Sequence, residues 1–317
     1  MPVFDSIQWL LRSQQAKPPL YNLSLDDARK QCNSGSTMMA GERESVASVI
    51  DRVIELDTGR INLRSYYPAF APDAEVLPAL VFYHGGGFVL GNLDTHDAFC
   101  RILSNRGECV VVSVDYRLAP EHKFPVATDD AYLALTWVYE HADELGLMKD
   151  RIAVGGDSAG GNLAAVIAIR AQEKDAPSIA YQLLIYPTVD STTPYPSYKE
   201  NGDGFFLTAA DMKWFQEQYV EEKTDKFNPY LSPIHFKNLG VLPSAHVVTA
   251  EFDPLRDEGE AYAERIKEAG GKVSVKRYDR MVHGFISMTG VVPEAYAAVE
   301  EMGEVLRKAL YEETFVK

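Results

Sequence analysis

The amino-acid sequence predicts an α/β fold with a mostly parallel central sheet and helices on both faces. From about residue 53 onward, apolar runs alternate with segments of helical periodicity, which is typical of strands joined by crossover helices. The chain has 317 residues, of which 46% are hydrophobic and 24% charged. This is an ordinary globular composition, and the length suits one large domain with an elaboration.

The predicted sheet begins with an antiparallel hairpin. Two stretches of alternating hydrophobicity flank the turn signal Asp57-Thr58-Gly59, as in two strands joined by a tight turn. Apolar runs then predict buried strands at 79–83, 109–114, 152–155, 181–186, 245–249 and 273–278. Helical patterns predict helices at 129–145, 159–172, 257–269 and 293–310.

Two segments do not follow this alternation. Residues 1–45 contain two short helical patterns. Residues 188–236 begin with a loop rich in Pro, Thr and Tyr, which leads into a helix opened by Thr208. We expect these two segments to form a small helical cap over one edge of the sheet. The core of the fold is then expected to comprise residues 46–187 and 237–317.

The charge of the chain argues against polyanionic partners. Its formal net charge is −15, and no segment supplies the basic footprint that binding to nucleic acid or to an anionic membrane requires. No apolar run approaches the length of a membrane-spanning helix. The N-terminal segment has an early acidic residue and no basic leader, so it resembles an amphipathic helix more than a signal peptide.

The three cysteines, Cys32, Cys100 and Cys109, are odd in number and widely spaced. They form neither a C-x-x-C pair nor a zinc-ligand pattern. We therefore expect reduced thiols and a cytoplasmic location. Neither a metal nor an organic cofactor is predicted.

The segment VGGDSAGG, residues 154–161, places Ser158 between an apolar run and a helical pattern. The spacing Gly156-x-Ser158-x-Gly160 is that of a nucleophile elbow, in which a strand ends, the chain turns sharply and a helix begins. Small flanking residues are needed there because the backbones of the strand and the helix nearly touch. Ser158 is therefore the predicted nucleophile.

A serine hydroxyl needs an activating base, and the base in turn needs an orienting acid. Among the seven histidines, His283 follows the last predicted strand and precedes the last helix, at the same sheet edge as Ser158. For the acid we expect Asp253, shortly after the strand at 245–249, because the chain order Ser, Asp, His suits this kind of site. Other carboxylates of the same segment remain as alternatives: Glu251, Asp257 and Glu258.

The oxyanion that forms during attack on a carbonyl needs hydrogen-bond donors. The segment HGGGF, His84 to Phe88, follows a predicted strand, and its three glycines leave backbone N–H groups unshielded. We expect the donors to be the N–H groups of Gly85, Gly86 and Ala159. A flexible glycine loop and a phosphate cradle are the alternative roles of this segment. Neither glycine run has the spacing of a dinucleotide fingerprint or a P-loop, and no lysine follows.

Five motifs resemble those of the hormone-sensitive-lipase-like esterases, a family of α/β-hydrolases: HGGGF at 84–88, VDYRLAPEHKFP at 114–125, GDSAGG at 156–161, DPLRDEG at 253–259 and HGF at 283–285. The resemblance covers nearly the whole chain. It implies an α/β-hydrolase fold, ester hydrolysis through an acyl-enzyme, and a triad of Ser158, Asp253 and His283. It also implies a two-part cap and, as in many members, a homodimer. In the second motif we expect Arg117 and Glu121 to hold a loop beneath the site.

Substrate choice is expected to depend on the cap and on aromatic residues facing the pocket: Phe88, Trp214, Phe215 and Phe285. Core packing is the alternative role for each of them. A roofed site has a bounded pocket, which favours short- to medium-chain esters.

Two other functions are weighed against a carboxylesterase. An amidase or peptidase shares the acyl-enzyme chemistry, whereas a binding protein similar to the gibberellin receptors would lack the histidine that His283 supplies.

Overall fold

The computed structural model describes residues 3–70 and 76–312. Its strands are β1 (Ser48–Leu56), β2 (Gly59–Tyr67), β3 (Leu77–Tyr83), β4 (Val110–Asp115), β5 (Leu147–Asp157), β6 (Gln182–Ile185), β7 (Ala245–Phe252) and β8 (Val273–Val282). They form one sheet in the order β1-β2-β4-β3-β5-β6-β7-β8. Strand β2 pairs antiparallel with both β1 and β4, and the other pairs are parallel. The predicted fold class and the opening hairpin are confirmed.

The helices of the described chain are α1 (Asp5–Gln15), α2 (Leu25–Ala40), α3 (Asp97–Gly107), α4 (Val126–Glu140), α5 (Ala159–Lys174), α6 (Pro196–Asn201), α7 (Ala209–Tyr219), α8 (Arg256–Glu268) and α9 (Pro293–Tyr311). Helix α4 begins and ends earlier than predicted. Helix α3 is absent from the sequence-based prediction, because its apolar pattern is short. Phe99, Ile102 and Leu103 nevertheless bury one face of α3 in the core.

Helices cover both faces of the sheet, and β3 near its centre shows the result. Every residue of β3 is buried. Ala79 and Val81 belong to one core cluster, whereas Leu80 and Phe82 belong to the other. This alternation is the two-residue period of a strand covered on both faces. Helices α4 and α5 contribute to the first cluster, and α1, α3 and α9 contribute to the second.

The loop between β4 and α4 is held by two ion pairs. The guanidinium of Arg117 donates to both carboxylate oxygens of Asp130, at 2.9 and 2.7 Å, and the Asp130 side chain is fully buried. Arg29 of α2 donates to both oxygens of Glu121, at 2.7 and 2.8 Å. Arg117 therefore fixes the loop to the core, whereas Glu121 fixes the N-terminal segment to the loop.

A second buried acid, Glu258, joins the start of α8 to the segments around it. Its Oε1 accepts from the backbone N–H of Val189 at 2.7 Å, and its Oε2 accepts from the hydroxyl of Tyr198 in α6. The Glu258 side chain is fully buried. Burial, aided by the negative charge of Asp190, raises the pKa of Glu258 to about 8, although the hydrogen bonds oppose this shift.

We expect Glu258 to make folding stability depend on pH. The folded protein keeps the proton on this carboxyl up to its raised pKa of about 8, whereas its ordinary pKa is 4.5. Linkage then makes its stability contribution fall as pH rises between these two values, by up to about 1.4 kcal/mol per pH unit. Glu258→Gln keeps the shape of the protonated acid and has no proton to lose. Urea unfolding across this pH range is expected to show a smaller decline for the variant.

Glu264→Gln is the matched control, because Glu264 lies on the same helix and is exposed. The control variant is expected to follow the wild-type decline. The prediction is contradicted if Glu258→Gln loses stability with rising pH as steeply as the wild type does.

Candidate active site

Ser158 lies at the junction of β5, which ends at Asp157, and α5, which begins at Ala159. Its backbone is in the left-handed region, with φ 55° and ψ −117°, a conformation that costs a non-glycine residue about 1–3 kcal/mol. The surrounding backbone holds it there. The N–H of Ser158 donates to the carbonyl of Ile185 at 2.9 Å, and its own carbonyl accepts from the N–H of Asn162 at 3.1 Å. The serine side chain is thereby presented at the carboxyl end of β5.

Close backbone contacts explain the glycines around Ser158. A Cβ on Gly156 would lie 2.3 Å from the backbone of Gly160. A Cβ on Gly160 would lie 1.8 Å from the carbonyl oxygen of Tyr83. Because no side chain fits such gaps, the G-x-S-x-G pattern reflects the near contact of β5, α5 and the end of β3.

Three predicted site residues meet at this junction. Nε2 of His283 lies 3.0 Å from Oγ of Ser158, and Nδ1 of His283 lies 2.8 Å from Oδ2 of Asp253. Asp253 is fully buried, and its Oδ1 accepts from the N–H of Leu255 at 2.8 Å. An ionised carboxylate only accepts hydrogen bonds, so Nδ1 of His283 is the protonated nitrogen and Nε2 is free to accept from Ser158. This arrangement is suited to activating a serine hydroxyl.

The other carboxylates of the same segment face elsewhere. Glu251 accepts from a backbone N–H near the end of β8, at 2.7 Å. Asp257 pairs with the adjacent arginine at 2.8 Å, and Glu258 is committed to the contacts described above. Within the described ranges, Asp253 is the carboxylate that hydrogen-bonds His283.

Helix α6 holds the loop that carries Asp253. The side-chain amide of Asn201 donates to the carbonyls of Glu251 and Asp253, at 3.2 Å each. The hydroxyl of Ser197 donates to the carbonyl of Pro254 at 2.6 Å. Both side chains are buried, so they fix the backbone on either side of the acid. Sequence reasoning missed these two residues, because a polar residue in a short helix belongs to no motif.

The glycine loop, residues 84–88, follows β3 and contributes to the cavity described below. The prediction that Gly85 supplies an oxyanion donor is wrong, because its N–H donates to Oδ1 of Asp157 at 2.7 Å. A donor bonded to a buried carboxylate is not available to a ligand. The N–H groups of Gly86 and Gly87, in contrast, have no acceptor within the described chain.

The N–H of Ala159 is a further free donor. It is at the first position of α5, where an N–H group has no partner within the helix. No residue in the described ranges outside α5 accepts from it. The positive end of the α5 dipole also favours negative charge at this point.

Asp157, the residue before the serine, organises the glycine loop. Besides the Gly85 N–H it faces Nε2 of His96, at 3.1 Å. Burial alone would raise the pKa of Asp157, but the charge and hydrogen bond of His96, with the Gly85 N–H, outweigh burial and lower it. Burial and the neighbouring His96 lower the pKa of His84 to about 4, so that ring is neutral. Sequence reasoning missed the contact between His96 and Asp157, because the two residues are far apart in the chain.

A cavity of about 520 Å³ includes Ser158 and His283 in its wall. The wall is mostly apolar. Besides the glycine loop, the wall includes residues of the N-terminal segment (within 1–45) and of the inserted segment (within 188–236). Among them are Leu20, Cys32, Met39, Phe206, Met212 and Phe215. Both segments that break the α/β alternation therefore contribute to the cavity.

Two of the four predicted pocket aromatics, Phe88 and Phe215, line this cavity. Phe285 lies elsewhere: its ring is fully buried in the second core cluster, edge-on to Tyr186 at a centroid distance of 5.6 Å. Trp214 packs against the first core cluster. Trp214 is not among the described residues that line the cavity, although its neighbour Phe215 on α7 is.

In residues 3–70 and 76–312, no group of three or more His, Cys, Asp or Glu side chains is placed to hold a metal ion. None of the helices in these ranges combines the length and hydropathy of a membrane-spanning segment. The three cysteines are all unpaired thiols.

Comparison with known proteins gives consistent matches over most of the chain. A family model described as "alpha/beta hydrolase fold" matches residues 80–287, a range that contains Ser158, Asp253 and His283. Esterase LipI of Mycobacterium tuberculosis is 43% identical over 315 residues, which cover 98% of this chain and 96% of LipI.

Solved structures agree with the sequence matches. The hyperthermophilic esterase from the archaeon Pyrobaculum calidifontis has a TM-score of 0.91 at 43% identity, covering 97% of this chain and 99% of its own. The ester-hydrolase EH1AB1 from the metagenome of Lake Arreo, complexed with a derivative of bipyridine phosphonate, has a TM-score of 0.92 at 39% identity, covering 96% and 98%. The chain therefore belongs to the alpha/beta hydrolase fold family, and within it to the hormone-sensitive-lipase-like esterases whose motifs it carries.

Proposed function

We propose that this chain is a carboxylesterase that hydrolyses short- to medium-chain carboxylic esters through an acyl-enzyme on Ser158. The observation that carries the proposal is the hydrogen-bonded series from Asp253 through His283 to Ser158, at 2.8 and 3.0 Å, beside an apolar cavity. The names of the esterase relatives support an ester as the substrate class.

In the first half of the proposed reaction, Oγ of Ser158 adds to the ester carbonyl carbon while Nε2 of His283 takes the hydroxyl proton. Asp253 accepts from Nδ1–H, which fixes the tautomer and stabilises the imidazolium. The tetrahedral intermediate then collapses, the bond to the alcohol oxygen breaks, and His283 gives its proton to the leaving alcohol. The acyl group stays on Ser158.

In the second half, a water molecule gives a proton to His283 as its oxygen adds to the acyl carbon. The bond to Oγ then breaks, the proton returns to Ser158, and the carboxylic acid leaves. In both halves the carbonyl oxygen becomes negative. We propose the N–H groups of Gly86, Gly87 and Ala159 as its donors, each of which is typically worth about 3–4 kcal/mol in the transition state.

We further propose that residues 1–45 and 188–236 act as a cap over a core of residues 46–187 and 237–317. The support is that both segments supply apolar residues to the cavity wall. A bounded apolar cavity favours acyl chains of short to medium length over long ones.

We propose a cytoplasmic location, which the three unpaired thiols support.

We also propose a homodimer, in line with many esterases that carry these motifs. The terminal position of β8 in the sheet and its largely exposed residues are compatible with pairing of two chains there.

Ser158→Ala is expected to lower kcat for p-nitrophenyl esters by about 10⁴-fold or more, because it removes the nucleophile. The measurement is hydrolysis of a series from acetate to laurate, with wild type and variant side by side. Ser178→Ala is the control, since Ser178 is exposed and outside the cavity wall. If Ser158→Ala keeps the wild-type rate, the acyl-enzyme on Ser158 is refuted. Hydrolysis of the matching p-nitroanilides by the wild type would reveal amidase activity.

Asp253→Asn is expected to lower kcat by about 10²–10⁴-fold, because an amide no longer favours the Nδ1–H tautomer of His283. Glu251→Gln, two residues away in the same segment, is expected to change kcat by less than about threefold, because the Glu251 side chain accepts from the Arg280 N–H and does not contact His283. The measurement is steady-state kinetics on one short ester. Equal losses in the two variants would show that the acid has been assigned incorrectly.

Light scattering coupled to size exclusion is expected to give a mass of about twice the chain mass of 35.3 kDa. Val275→Lys places a charge on an exposed position of β8 and is expected to shift the mass toward one chain. A monomer mass for the wild type at every concentration would contradict the homodimer.

A further inference from the structure

Helix α7 packs two aromatic residues against the glycine loop. Phe215 and Tyr219 are four positions apart on α7, so their side chains lie on the same face of the helix. Phe215 meets Gly87, and Tyr219 meets Phe88. Two neighbouring residues of the loop are thus in contact with two residues from successive turns of one helix.

The contact between Phe215 and Gly87 is close. A Cβ on Gly87 would lie 2.3 Å from Cγ and Cδ1 of the Phe215 ring. Gly87 also has φ +62°, a conformation that favours glycine. The ring therefore occupies the space where a side chain would be, in direct contact with the backbone that carries the Gly87 N–H.

The contact between Tyr219 and Phe88 is a stack. The ring centroids are 3.8 Å apart and the planes differ by 8°. Phe88 has φ 63°, which is unusual for a residue with a side chain. Its carbonyl accepts from the N–H of Ala119 at 2.8 Å. The stack and this hydrogen bond together hold the loop in its strained conformation.

Helix α7 is itself fixed at both ends. At its start, Thr208 and Asp211 form a capping box. At its end, the carbonyl of Tyr219 accepts from the N–H of Phe124 at 2.9 Å, and the carbonyl of Glu217 accepts from the Lys123 ammonium at 2.9 Å. These contacts hold helix α7 in place against the glycine loop.

We propose that Phe215 is a positioning residue for the oxyanion donors: its ring holds the glycine loop so that the N–H groups of Gly86 and Gly87 face the reacting carbonyl. The inference rests on the proposed function, since it concerns donors of that reaction. Such donors accelerate a reaction only when they are already oriented before charge develops. The same helix that forms part of the cavity wall would thus also set the oxyanion geometry.

The test compares Phe215→Leu with Phe206→Leu on a matched pair of substrates, p-nitrophenyl butyrate and its thionoester. The thionoester has C=S in place of C=O, and sulfur is a weak acceptor that gains little from N–H donors. Phe206 also lines the cavity but packs against the second core cluster. Its variant therefore removes the same ring from the wall without removing the ring that contacts Gly87.

Phe215→Leu is expected to lower kcat for the ester by about tenfold, less than the full loss of one donor, and to lower the ester-to-thionoester ratio of kcat by a similar factor. Phe206→Leu is expected to change KM while keeping the wild-type ratio. A burst titration of p-nitrophenol counts competent sites in each preparation, so misfolded protein does not enter kcat.

The inference is overturned if Phe215→Leu keeps the wild-type ratio, or if both variants lower it equally. The proposed function fails in a different way, namely if the wild type hydrolyses neither substrate. A wild type that cleaves the ester, with an unchanged ratio in Phe215→Leu, would leave the esterase intact and remove only the positioning role.

Discussion

The structure is arranged around one strained position, the backbone of Ser158. Its φ of 55° persists because three strand ends meet there. Its N–H is bonded to the end of β6, Gly160 lies against the end of β3, and Gly161 lies so close to Pro187 that a Cβ would approach the Pro187 Cβ to 2.8 Å. A strain of about 1–3 kcal/mol is small beside the burial of two core clusters, so the core is able to maintain it.

The loops that carry the site residues are held in place by contacts from other parts of the fold. Helix α6 fixes the acid loop through Asn201 and Ser197. Asp157 fixes Gly85, and Arg29 of α2 donates to the carbonyl of Val89, just after the glycine loop, at 3.1 Å. The N-terminal and inserted segments therefore brace the site in addition to contributing to its wall. Such bracing keeps polar groups oriented before a substrate arrives.

The sequence was sufficient to predict those features that depend on where strands end. Ser158, Asp253 and His283 all follow parallel strands, whose carboxyl ends share one edge of the sheet, so strand prediction and chain order bring them together. Features that depend on the direction of one group were not accessible. The hydrogen-bond partner of the Gly85 N–H depends on the orientation of a single peptide group. The burial of the Phe285 ring in the core, away from the cavity, depends on how the neighbouring elements pack.

Helix α3 and Asn201 show two other limits of sequence reasoning. The apolar pattern of α3 is too short to stand out without the neighbouring helix α9 that buries it. Asn201 acts on a loop about fifty residues further along the chain, and a contact at that separation leaves no local pattern. Both features become evident only once the tertiary structure is known.

The buried carboxyl of Glu258 has a consequence for a protein whose proposed reaction releases acid. Each ester that is cleaved yields a carboxylic acid, which acidifies a weakly buffered medium. The folded chain retains the Glu258 proton more strongly than the unfolded chain does, so acidification through this group shifts the balance toward the folded state. Accumulating product thus opposes unfolding through this group, which gives the protein a measure of tolerance to the acid that it would make.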